Sequence, residues 1–208
     1  MSEVPLQFSA PDDREEIARA EVYGLLASLY HAPPSADLYE QLRVAVTEAP
    51  ASGAFLETNW SEVVSAARRL PLADVAGEFT ALFGGVGKPE VFLYGSWFIA
   101  GHLNEKPLAD LRTDLATLGL ERAAGVLETE DHLASLCEVM RYLIAGDDAG
   151  VSNLAAQQRF FNAHLRPWIE PLCDALAAHP RADFYAALAG FTRDFFAVEA
   201  QGFDLLEA

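Results

Sequence analysis

The chain has 208 residues, 51% of them apolar, and carries 31 acidic against 14 basic residues for a formal net charge of −17. That surplus repels phosphate backbones and argues against nucleic acid, whereas it suits a basic peptide or simply keeps the protein in solution. The apolar content can fill one core or two small ones; no run reaches the roughly 18 apolar residues of a membrane span, and the first residues lack a signal-peptide pattern, so a cytoplasmic, unprocessed chain without stable membrane insertion is expected.

The pattern predicts helices throughout. Asp12 with Glu15 resembles a capping box, and Ile17, Val22, Leu25, Leu26, Leu29 and Tyr30 give an apolar face that Pro33-Pro34 ends. Ser35 caps a second helix carrying Leu38, Tyr39, Leu42 and Val46 up to Pro50. Trp60, Val63, Val64, Ala67 and Leu70 recur at helical spacing before Pro71, and a further helix covers roughly 73 to 83. Val91-Phe92-Leu93-Tyr94 fits a strand equally well, but a lone strand leaves its edges unpaired, so it reads as an ordered loop leading into a helix near Trp97. Pro107 suits the first turn of a helix with Leu108, Leu111, Leu115 and Leu118, ended by Gly119. Thr129 is a plausible N-cap for the segment Leu133, Leu136, Met140, Leu143 and Ile144, which Gly146 ends. Two long segments follow, near 152 to 178, with breaks expected at Pro167 and Pro171, and 183 to 201. Their aromatic residues demand burial. The two cysteines, Cys137 and Cys173, fall inside helical patterns and read as buried free thiols.

Three short stretches stand out in order. Glu78-Phe79-Thr80-Ala81-Leu82-Phe83 closes a helix, Leu93-Tyr94-Gly95-Ser96-Trp97-Phe98 follows a glycine-rich loop, and Glu128-Thr129-Glu130-Asp131-His132 opens an apolar helix. Together they resemble the cytoplasmic redox-enzyme maturation chaperones of molybdenum-containing oxidoreductases, often called the TorD/DmsD family. They match its Glu-aromatic-x-x-Leu-Phe signature, its Pro-Tyr-x-Ser-x-aromatic loop and its Glu-Pro-x-Asp-His motif, with Leu93 and Thr129 standing where the family has proline. In outline the resemblance spans about 20 to 205. It implies an all-α multi-helix bundle, with an N-terminal lobe (1–120) and a C-terminal lobe (121–208) joined by a hinge near 84–96 or 121–130 into one family domain. It also implies a client: the catalytic subunit of a molybdopterin oxidoreductase and its twin-arginine leader peptide, bound around the hinge.

The residues themselves can be weighed beside that resemblance. The histidines form no His-x-x-x-His pair, Lys88 is followed by Pro89 rather than Ser or Thr, and no Gly-x-Ser-x-Gly elbow occurs. Glu128 and His132, four apart, could share a helix face toward a metal, but further ligands are not evident. No enzyme, no cofactor and no metal site is therefore expected. A leader receptor instead needs carboxylates beside apolar side chains. The stretch 126–150 holds six acidic residues and one basic residue, a local balance of −5. Glu128 and Asp131 can accept from arginine, His132 can bond the peptide or orient Asp131, and Tyr94, Ser96 and Trp97 offer loop contacts. Against this, Glu128 can be a solvated helix-start charge, Asp131 and His132 can tie the loop down, and Trp97 and Phe98 can belong to the core. Phe79, Leu82 and Phe83 read as core. An all-helical interaction or regulatory domain with a different partner is the alternative, and long helices around a hinge allow either a monomer or a domain-swapped dimer.

Overall fold

The computed structural model describes residues 12–47, 56–84, 87–123 and 125–206. Ten helices and no strands occur among them: α1 (Asp12–His31), α2 (Ala36–Val44), α3 (Glu57–Arg69), α4 (Leu72–Phe83), α5 (Gly95–Ala100), α6 (Lys106–Thr117), α7 (Leu133–Ala145), α8 (Leu154–His164), α9 (Ile169–Ala177) and α10 (Phe184–Asp204). The expected all-α bundle is what forms. Local chemistry sets several ends as read: Ser35 Oγ accepts from the Leu38 amide at 3.2 Å, Gly119 takes a left-handed φ of 72° after α6, and Gly146 follows the last turn of α7. Pro167 falls in the break between α8 and α9, while Pro171 sits in the first turn of α9, where a missing N–H costs nothing. The side chain of Asp12 and the whole of Pro50 lie outside the described residues.

Three expectations change. Ile17 is 57% exposed, because the core-facing row of α1 runs through Ala20, Tyr23, Leu26, Ala27 and Tyr30, and Ile17 lies well round the helix from it. Val46 is also exposed, since α2 stops at Val44 and the next residues are extended. The N-cap of α7 is His132, not Thr129: residues 129–132 form a turn, with the His132 amide on the Thr129 carbonyl at 3.0 Å. Glu128 and His132 therefore do not share a helix face.

α1 packs along α7, and α10 packs on α9 and α3, so helices from either side of residue 120 build one core. Tyr23 of α1 meets Phe195 and Phe196 of α10 edge-on, with ring centroids 4.9 and 5.8 Å apart. Leu136, Met140 and Leu143 of α7 and Phe161 of α8 are buried in the same core. Burying each such side chain contributes roughly 1.5–3 kcal/mol before the entropy of ordering is counted. A polar network crosses this apolar mass. Buried Glu199 accepts from Arg19 Nε and Nη2 at 2.7 and 2.8 Å and from the Tyr23 hydroxyl at 3.0 Å, and Arg19 also donates to Gln157. The bidentate fork satisfies the carboxylate, which burial would otherwise penalise heavily. Cys137 and Cys173 are free and buried, as expected.

The Glu78 signature also acquires a physical role. Its carboxylate leaves α4 and accepts from the amides of Asp183, Phe184 and Tyr185 at 2.9, 3.1 and 2.7 Å, capping α10. Asp183, the N-cap residue, makes no capping bond with its own side chain, whose two oxygens accept from Arg69. Leu82 is buried, and Phe79 and Phe83 pack on Tyr185 with centroids 5.8 and 5.1 Å away, so all three belong to the core.

Candidate functional site

The loops before α5 and before α7 cross each other. The Leu133 amide donates to the Leu93 carbonyl at 2.8 Å and the Gly95 amide to the Asp131 carbonyl at 2.9 Å, forming an antiparallel bridge between Tyr94 and His132. The ambiguous apolar run 91–94 is thus neither a strand nor a free loop. Its backbone finds partners in the second motif, which answers the need to satisfy buried amides.

Each side chain of the crossing follows from that backbone. Asp131, 3% exposed, accepts from the Ser96 amide at 2.9 Å through one oxygen, capping α5, and from Thr129 Oγ1 at 2.6 Å through the other. His132 Nδ1 accepts from the Ala134 amide at 3.2 Å, so the ring caps α7 and any ring proton sits on Nε2. Burial lowers its pKa to about 4; His31 pushes the same way, while Glu128 and Asp131 oppose it. His132 is accordingly neutral near pH 7. Tyr94 stands edge-on to it, centroids 5.0 Å apart. Gly95 is required by a close approach: a Cβ there would lie 3.0 Å from Trp168 Nε1, which donates to the His164 carbonyl at 2.6 Å.

The six residues singled out from sequence do converge on this crossing, in two tiers. Ser96, Asp131 and His132 are buried, whereas Tyr94, Trp97 and Glu128 are half-buried. Trp97 stacks on Phe92 at 4.1 Å, and Lys88 Nζ sits 4.6 Å from the Trp97 centroid. Ser96 Oγ is buried without a hydrogen-bond partner.

Sequence reasoning missed the concavity beside the crossing. A groove of about 740 Å³ runs between α1 and α7, with the 118–130 connection along its side. Leu115, Leu120, Val139 and Tyr142 supply apolar lining, and its charged lining mixes Glu121, Glu130 and Glu138 with Arg122 and Arg141. Glu130 and Ala134 flank the Asp131-His132 pair in sequence, so the groove borders the crossing. The groove unites segments about 100 residues apart and has no local signature. Among the described residues no group of three or more His, Cys, Asp and Glu side chains is placed to hold a metal ion, and no helix is long and apolar enough to cross a membrane.

An all-α bundle whose three motifs become a helix cap, a stacked loop and a carboxylate–imidazole crossing is the class of redox-enzyme maturation chaperones. The chain belongs to the nitrate reductase delta subunit family, whose model matches residues 49–174, a span that contains all three motifs. Among curated proteins none matches the chain.

Proposed function

We propose that this protein is a client-specific chaperone of a molybdopterin-dependent oxidoreductase, binding the twin-arginine leader of the catalytic subunit, its folded body, or both. It acts in the cytoplasm, as a monomer or a swapped dimer. By occupying the leader it delays export until the cofactor is inserted. Family membership supports the client class. The observation that supports the leader is the groove: a concavity of about 740 Å³ with apolar lining and three carboxylates beside Arg122 and Arg141, adjoining the crossing of the two loops. Tyr94, Trp97 and Glu128, half-buried at the crossing, meet the client, while Ser96, Asp131 and His132 hold the two loops in register.

Calorimetric titration tests this. A paired-arginine leader peptide should bind, and the same peptide with both arginines changed to glutamine should bind more weakly, with a difference that shrinks as salt rises. If leaders from several molybdoenzymes all fail to bind, leader recognition is wrong.

A further inference from the structure

Glu130 differs from the other carboxylates of the groove. Glu121 and Glu138 are exposed, and Glu138 pairs with Arg141 one turn along its own helix, an arrangement worth little. The Glu130 side chain is 13% exposed and carries two arginines. Arg112 of α6 donates to Oε2 through Nε and Nη2 at 3.0 and 2.8 Å, and Arg122 Nε lies 3.7 Å from Oε1. Arg122 also donates to the carbonyls of Val126 and Glu128 at 3.0 and 3.3 Å, linking the pair to the connection that flanks the groove.

Resting on the leader-binding reading, we infer that Arg112 and Arg122 are an internal arginine pair that stands in for the client's, occupying Glu130 until the leader's arginines exchange with them. Both internal guanidiniums are about half exposed, so each one released passes to water without losing a buried environment. Exchange of like for like is close to neutral in energy. The apolar segment of the leader therefore provides the affinity, and the arginines provide discrimination. Lysine fits less well, because its ammonium lacks the paired planar N–H groups with which Arg112 engages Oε2. The free protein also never leaves Glu130 as a half-buried unpaired charge.

Arg112→Ala is the informative variant, since Arg112 donates to Glu130 and to no loop carbonyl among the described residues, and its melting temperature controls for folding. The variant should bind a paired-arginine leader at least threefold more tightly than wild type and bind the glutamine version unchanged. Glu130→Gln should bind both peptides alike. Binding of the arginine peptide by the variant alone supports the same exchange. Arginine-dependent binding by wild type that Arg112→Ala leaves unchanged or weakens overturns the inference while the leader reading stands. An equal gain for both peptides also overturns it, because the groove has then merely loosened. Failure of both proteins to bind either peptide removes the leader reading and this inference with it.

Discussion

His132 shows how one side chain can serve the fold in a single protonation state. Its Nδ1 accepts from the Ala134 amide, which only the neutral ring or its equivalent acceptor can do. An unfolded chain takes up this proton below about pH 6.5, and the folded chain resists until about pH 4. Between those values the unfolded state binds more protons, so stability falls as pH drops through the window, by up to roughly 3 kcal/mol, and the loss is complete below it. His132→Asn keeps an N-cap acceptor without a titrating ring. Denaturant midpoints of this variant should decline less steeply from pH 6.5 to 4 than those of wild type; parallel curves would mean that other groups govern acid sensitivity.

Beside the local caps at Ser35 and His132, two helix starts in this molecule are satisfied from a distance, α5 by Asp131 and α10 by Glu78. Glu78 caps α10 from α4, more than a hundred residues earlier in the chain, and three amides depend on it. Glu78→Ala should cost about 1–3 kcal/mol, which for a chain of this size lowers the melting temperature by about 3–10 °C in a calorimetric scan. An unchanged midpoint would mean that water replaces the carboxylate at no cost. Such links also mark where sequence reading runs out. Helical periodicity located every long helix, and proline and glycine placed most of their ends, because those signals are local. α7 begins later than the capping pattern suggests because Asp131 and Leu133 are tied through their backbones to Gly95 and Leu93, which leaves His132 extended as the cap, and no pattern within 128–133 encodes that pairing. The six candidate residues came together only through ordered motifs. The groove, and Glu130 with its two arginines, depend on α1, α6 and α7 meeting in space.

Packing of α1 on α7 and of α3 on α10 joins the two halves of the sequence in one core, so the whole molecule is expected to unfold as one unit. Fragments 1–120 and 121–208 should each unfold without a sigmoidal transition and recover one when mixed; a cooperative melt from either alone would establish an autonomous lobe. The same interleaving bears on how the protein is made. Arg19 and Tyr23 meet their carboxylate on Glu199, a partner separated from Arg19 by 180 positions. During synthesis the N-terminal helix emerges with a guanidinium and a phenol whose acceptor does not yet exist, and its apolar row has no α7 to cover it. The nascent chain therefore cannot close its core around Glu199 until nearly all of the last helix, α10, has been translated. A protein that we propose shields an unfinished client must itself pass through a long unfinished stage.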